Sequence, residues 1–266
     1  MQFSATATPL HEIVSWRDLY RREMQCQVVH ASLYSYGNWV QSYLLKKGDT
    51  AVGYGSIVVG GRWRGTRTVF EFYVEPQYRS HVFDLFTEFV SAAGATAFEI
   101  QSNDILLNRL LPAWCAEPTI EGMIFQDKQA TALPGAGTII HRIFPDDIHK
   151  VFAHREKPVG DWVLEFDNRI VATGGMANYY NEPYKEIYVE VVAAYRRRGL
   201  GSYLVQELKR LCYDSGDIPC ARCKPDNEAA LKTILKTGFV TSAQILSGAL
   251  SPRSVSRPQF SLASDD

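Results

Sequence analysis

Seven consecutive residues carry the strongest chemical signal in this chain: Arg196, Arg197, Arg198, Gly199, Leu200, Gly201 and Ser202. They stand between a β-prone run and an amphipathic stretch with Leu200, Leu204, Leu208 and Leu211 on one helical face. The first N–H groups of a helix have no partner inside it, and the helix dipole adds positive potential there. Glycines let an oxygen approach the backbone closely. Three guanidinium groups supply charge-assisted bonds. The segment therefore suits a polyanion. It is not a Walker loop, because no Gly-Lys-Ser/Thr follows. It is a poor dinucleotide fingerprint, because Ser202-Tyr203-Leu204 follows Gly199-Leu200-Gly201 without a third glycine. Just upstream, Glu186 and Glu190 lie four apart with Tyr188 between them, so a regular strand puts both on one face. A carboxylate so placed can accept a proton from an amine. The competing reading is a pair of solvated carboxylates on an exposed edge.

The elements that position these residues come in two similar series. The first has a helical stretch (Trp16 to Gln27), aromatic-rich sequence, and a hairpin signal at Gly48-Asp49 before the run Ala51 to Val59. A strand at Val69 to Glu75, a helix from Val82 to Ala93 ended by Gly94, and a strand at Ala97 to Ile100 follow. A short helix from Asp104 is expected to stop at Pro112. The second series repeats the order: Trp162 to Phe166, a turn at Asp167-Asn168, Ile170 to Ala172, Glu186 to Val192, the helix from Gly199, a strand around Cys220 to Lys224, a helix from Glu228 to Lys236, then Gly238-Phe239-Val240. Tyr73-Val74-Glu75 overlays Tyr188-Val189-Glu190, and a Tyr-Arg follows each, at Tyr78 and Tyr195. The shared order predicts a duplicated unit. Leu133 to Gly137 is the linker candidate, and the strand Thr138 to Phe144 either closes the first unit or opens the second. The polar tail from Ser251 is expected to be loosely held.

Composition bounds the rest. With 266 residues, 46% hydrophobic and 21% charged, wholesale disorder is excluded. A net charge of -1 gives no global pull on nucleic acid or anionic lipid. No apolar run nears the ~20 residues of a membrane span, and Met1 to Thr6 shows no secretory pattern. A cytoplasmic protein without nucleic-acid or membrane partners is expected. The five cysteines suggest no disulfide framework. Cys220-Ala221-Arg222-Cys223 has no second pair to make a zinc site, so these cysteines read as buried structural residues and no metal is expected.

Downstream of Arg196-x-x-Gly199-x-Gly201 come Asn227-x-x-Ala230 and then Thr237-Gly238-Phe239. Together these resemble the GNAT superfamily of acyl-CoA-dependent N-acetyltransferases, over about Asp161 to Val240. The resemblance implies an α/β (α+β) fold of two tandem GNAT-like units, each a mixed, mostly antiparallel sheet flanked by helices. Residues 1–133 form a degenerate unit, because no glycine lies between Tyr78 and the following helix. Residues 134–266 form the unit that binds acetyl-CoA.

The resemblance also implies roles. Val191 and Val192 pair with the pantetheine arm, and an N–H near Val192 or Ala193 polarises the thioester carbonyl. The amides of Arg197 to Ser202 hold the pyrophosphate, Asn227 bonds the pantetheine, and Arg196 and Lys232 face remaining phosphate charge. Glu190 and Glu186 are the candidates for the base. The family's tyrosine acid falls at Ile234, which leaves Tyr203 or Tyr213 as stand-ins. The expected activity is transfer of acetyl from acetyl-CoA to a primary amine of a small molecule or peptide, by direct attack in a ternary complex. The alternative is a non-catalytic acyl-CoA-binding or sensing module. Aromatics from Tyr34 to Tyr54 are read either as core or as part of the acceptor site.

Overall fold

The computed structural model describes residues 2–115, 117–135, 137–154 and 157–251. The tail expected to be loose lies outside these residues, apart from Ser251. The first half begins with β1 (Phe3–Thr8), which the sequence did not announce: Phe-Ser-Ala-Thr-Ala-Thr has no apolar run and lies at the sheet edge. Helix α1 (Val14–Met24) ends at Gln25, which takes a left-handed conformation. Strands β2 (Val40–Lys47) and β3 (Thr50–Val58) form the hairpin expected at Gly48. Then come β4 (Thr68–Val74), α2 (Val82–Ala93), capped at Gly94 with φ +56°, and β5 (Ala97–Gln101).

Helix α3 (Ile105–Trp114) runs past Pro112, against expectation. Pro112 forfeits only its own bond to the preceding turn. The bond from Cys115 N–H to the Leu111 carbonyl, 2.8 Å, and the burial of Leu110 and Trp114 keep the last turn in place. A further strand missed in the sequence, β6 (Thr119–Asp127), closes the half.

The second half holds β7 (Thr138–Arg142), β8 (Trp162–Phe166), β9 (Arg169–Ala177), β10 (Tyr184–Val191), α4 (Leu200–Asp214), β11 (Ile218–Cys223), α5 (Glu228–Lys236) and β12 (Phe239–Ala249). Strand β7 pairs with β8 and so opens this half. All twelve strands join one sheet in the order β1-β2-β3-β4-β5-β12-β6-β11-β10-β9-β8-β7. The order is a pseudo-symmetric strand exchange. The last strand of the first half, β6, pairs with β11, and the last strand of the second, β12, pairs with β5. The boundary expected at 133/134 divides the helices, but the strands cross it.

Each half keeps its own core. Phe72, Leu85, Phe86, Phe89 and Leu110 are buried in the first, and Leu164, Val171, Leu204, Leu208 and Phe239 in the second. Among the described residues no helix is long and apolar enough to cross a membrane.

The duplication is visible at atomic detail, with a correction. Arg79 Nε donates to the Val74 carbonyl at 2.9 Å, and Arg196 Nε donates to the Val191 carbonyl at 2.9 Å. Glu75 N–H meets the Val52 carbonyl at 3.0 Å as Val192 N–H meets that of Val171 at 2.9 Å. These bonds match Tyr78-Arg79 with Tyr195-Arg196, but set Tyr73-Val74-Glu75 opposite Glu190-Val191-Val192. The two Tyr-Val-Glu triplets are out of step by two residues, a slip that preserves the face each side chain occupies.

Candidate active site

Strands β10 and β11 are parallel neighbours only where Tyr184, Lys185 and Glu186 oppose Ile218, Pro219 and Cys220. Beyond that point β10 follows β9 as far as Val191, while β11 follows β6 to Cys223. The two strands splay, and a wedge opens between them. On β10, the residues in hydrogen-bonded register with β9 spend their backbone groups on that strand, and the alternate ones face the wedge. Val192 belongs to the first set: its N–H is bonded to Val171, and its carbonyl accepts from Tyr195 N–H at 2.9 Å. It therefore cannot pair with a pantetheine or polarise a thioester, as the sequence reading had it. The wedge-facing groups are those of Val189 and Val191, whose carbonyl already accepts from Arg196. Ala193 follows in an exposed single turn.

At the mouth of the wedge the chain makes a tight turn into α4. Arg197 has φ +64° and Gly199 φ +84°. The first backbone bond of the helix runs from Tyr203 N–H to the Gly199 carbonyl, 3.0 Å, and no side chain caps the start. The N–H groups of Leu200, Gly201 and Ser202 thus point forward from the helix end, into the anion site expected of them. A Cβ on Gly201 would lie 3.3 Å from Val191 Cγ2, so this glycine lets the helix start approach the strand end. The three arginines are exposed; Arg196 is tethered to β10, and Arg198 lies over the Tyr195 ring at 4.9 Å.

Asn227 caps α5, its Oδ1 accepting from Ala230 N–H at 3.0 Å, so only its amide nitrogen remains free to donate. Lys232 pairs with Glu228 at 2.8 Å on the exposed side of α5. In the first half the corresponding stretch, Pro76–His81, runs directly into α2 with no positive φ, which leaves no such turn.

The face of β10 opposite α4 carries Glu186, Tyr188 and Glu190, as expected. Glu186 is 1% exposed and ion-paired: Arg222 Nε lies 2.8 Å from Oε2, and Lys157 Nζ 3.8 Å from Oε1. The Arg222 contact lacks the alignment of a hydrogen bond, so Oε2, like the nearby Tyr180 hydroxyl, has no hydrogen-bond partner among the described residues. Burial, and then the Glu186 charge, push the Tyr180 phenol well above its ordinary pKa. Both oxygens of Glu186 are thus engaged by cations deep in the sheet, and Glu190, nearer the anion turn, is the better placed candidate for the base.

Glu190 is buried on the same face, nearer the anion turn. It accepts from Lys157 N–H at 3.2 Å, and His154 Nδ1 lies 3.5 Å away. The His154 ring stacks on Phe152 and reaches Thr173 Oγ1 at 3.0 Å. The matching position in the first half is Tyr73, a buried residue without a carboxylate.

Ile234 is buried in the second core. Tyr213 sits at the far end of α4, about 20 Å of helix from the anion turn, with its hydroxyl on Asp127 at 3.0 Å. Tyr203 is packed against the Gly135 backbone. Tyr43 and Tyr54 are core residues, and the hydroxyls of Tyr34 and Tyr54 both donate to Glu71. These aromatics support the first half's interior. Cys220 and Cys223, three apart on β11, belong to opposite cores, and burial raises both thiol pKa values. No site role follows from the sequence for Arg222, Lys157 or His154: Arg222 stands there only as the inner residue of Cys220-Ala221-Arg222-Cys223, and His154 only as a histidine five after His149 with no metal-binding partner pair.

Comparison with known proteins places a family likeness on the second half. Residues 129–239 match the acetyltransferase (GNAT) family model. Among curated proteins none matches the chain. Solved structures extend the likeness to the whole fold. A GNAT-family acetyltransferase from Colwellia psychrerythraea is 12% identical, over 93% of this chain and 100% of that one, with a TM-score of 0.72. A tandem GNAT protein from the clavulanic acid biosynthesis pathway, solved without AcCoA, is 14% identical over 95% and 99%, with a TM-score of 0.62. A GCN5-related N-acetyltransferase from Sphaerobacter thermophilus is 13% identical over 93% and 95%, with a TM-score of 0.59. The duplicated GNAT-like fold thus spans both halves, and the anion turn lies inside the segment that matches the family model.

Proposed function

We propose that the second half binds acetyl-CoA and transfers its acetyl group to a primary amine held on the Glu190 face. One observation carries this reading: an uncapped helix start, reached through a left-handed Arg197–Gly199 turn, stands at the mouth of the wedge where β10 and β11 part. The N–H groups of Leu200 to Ser202 take the pyrophosphate, helped by the exposed arginines. The wedge-facing backbone of Val189 and Val191 takes the pantetheine, and the Asn227 amide donates to it. The amine nitrogen attacks the thioester carbonyl, the C–S bond breaks, and CoA leaves as its thiolate. The proton shed by the nitrogen passes to Glu190, directly or through water, and ends on the thiolate sulfur. A thiolate with a parent pKa of about 8.5 leaves without an obligatory acid, which accommodates Ile234 at the usual tyrosine position. The first half binds no CoA, because it lacks the turn.

Calorimetric titration with acetyl-CoA tests this reading, with an expected stoichiometry of one per chain. Gly199→Val forces a branched side chain into φ +84° and is expected to abolish binding while the circular dichroism stays that of the folded chain. Two sites, or unchanged affinity in the variant, would refute it. A second reading, an acyl-CoA sensor without turnover, is favoured by Ile234 alone. Free-thiol release with a panel of amines separates the two.

A further inference from the structure

The two cations on Glu186 have an arrangement that a merely structural ion pair does not need. Arg222 meets Glu186 through Nε, and its side chain stays 33% exposed. Its guanidinium also lies over the Tyr179 ring, 5.5 Å from the centroid. Held on two sides, the terminal nitrogens form a fixed planar fork, the geometry that binds a carboxylate in two places. Lys157 reaches the other oxygen of Glu186 and is 40% exposed. Among the described residues neither cation pairs with another carboxylate. The buried Arg17–Glu71 pair of the first half is different: the arginine side chain is 8% exposed, and a single guanidinium is matched by a single carboxylate.

The position is as telling as the charge. Cys220 is the last residue of β11 in register with β10, opposite Glu186, and Arg222 shares its face two residues on, where the wedge opens. At about 3.3 Å per residue, Arg222 stands ~7 Å past that level and Glu190 ~13 Å past it. The backbone positions of Arg222 and Glu190 are therefore about 7 Å apart along the strands, and both side chains leave the same face of the sheet, with the guanidinium held at the level of Glu186. That is the complement of a short molecule with an ammonium at one end and a carboxylate at the other.

We propose that the acceptor is an aminocarboxylate. Its carboxylate docks on the Arg222 fork with Lys157 beside it, and its amine faces Glu190 and the thioester. The inference rests on the transferase reading above. Glu186 and Tyr179 are then positioning residues that hold the fork.

The test is free-thiol release with saturating acetyl-CoA. The probes are β-alanine, γ-aminobutyrate and the twenty amino acids, each set against its decarboxylated amine. At least one carboxylated member is expected to be turned over, with a kcat/KM at least tenfold above that of its partner. Arg222→Lys keeps the charge and loses the fork. It is expected to lower that preference about 10- to 100-fold, through KM rather than kcat. The double variant Glu186→Gln/Arg222→Gln removes the buried pair as a unit and is expected to lose the preference too, should the single variant fold poorly. Turnover of plain amines alone, or a preference that neither variant moves, overturns the inference. Calorimetry run in parallel separates the two levels. A chain that binds no acetyl-CoA overturns the transferase reading and this inference with it. A chain that binds it and prefers plain amines overturns this inference only.

Discussion

Glu190 and Glu186 show what residue types on one strand leave unsaid. Their spacing alone puts both on one face, and the structure keeps them there. It then separates them by partners that lie far away in sequence: Arg222 from β11, and Lys157 and His154 from the segment before β8. None of these contacts follows from a period-two pattern; in the sequence Glu190 is preferred to Glu186 only by its place nearer the expected thioester. The same holds for Val192, whose amide is consumed by Val171 through a ladder register that one sequence cannot fix. The choice of Glu190 is testable. Glu190→Gln is expected to lower kcat by about 10²- to 10⁴-fold at neutral pH, the usual contribution of a positioned base. Affinity for acetyl-CoA should stay near wild type, because the anion turn is untouched. The deficit should shrink as pH rises and more of the amine is already neutral. A variant with wild-type kcat at neutral pH would remove Glu190 from the mechanism.

At the scale of elements, helices were more legible than strands. Apolar spacing marked α2, α4 and α5, and Gly94 marked the end of α2, because each signal is local. β6 and most of β12 went unread: Thr-Ile-Glu-Gly-Met-Ile-Phe-Gln-Asp mixes charge and glycine into its run, and its partners are strands of the opposite half. Helix α3 shows an element start that serves two demands. Asp104 caps it, Oδ1 accepting from Leu107 N–H at 2.9 Å, while Oδ2 accepts from Tyr20 at 2.8 Å and so ties α1 to α3. Burial raises the Asp104 pKa to about 6, and the two hydrogen bonds only partly offset it. The sign follows from linkage. Between the unfolded value near 4 and the folded value, the native chain holds the extra proton, so stability falls as pH rises through that window and levels off above it. The shift corresponds to ~3 kcal/mol as an order of magnitude. Asp104→Asn keeps the cap and carries no charge. Urea unfolding from pH 4 to pH 7 is expected to show this descent in the parent and to lack it in the variant. Parallel pH profiles would assign the dependence elsewhere.

For the whole molecule, duplication was legible in the order of elements, and the exchange of last strands was not, because identical local patterns pair equally well within a half or across halves. The exchange has a consequence for folding. The first half alone would leave β5 without β12 and β6 without both neighbours, exposing long unpaired edges. The segment after α1 crosses the junction as well. Val28 N–H donates to Asn181 Oδ1 at 2.6 Å and Asn181 Nδ2 donates back to the Cys26 carbonyl at 3.4 Å, both in buried surroundings. Lys209 of α4 is buried on Asp127 of β6 at 2.6 Å and donates to the carbonyls of Gln129 and Thr237, so the helix that carries the anion turn is anchored to a strand from the first half. A lone half strands that charge as well as its edges, and an uncompensated buried charge typically costs ~3–5 kcal/mol, a large part of an ordinary domain's stability. The full chain is therefore expected to unfold in one cooperative transition by fluorescence and circular dichroism alike. Residues 1–133 and 134–266 produced separately should be unfolded or aggregated, and acetyl-CoA should bind only when both are produced together and co-purify. A fragment 134–266 that folds and binds acetyl-CoA alone would show that the exchanged strands are dispensable to the site.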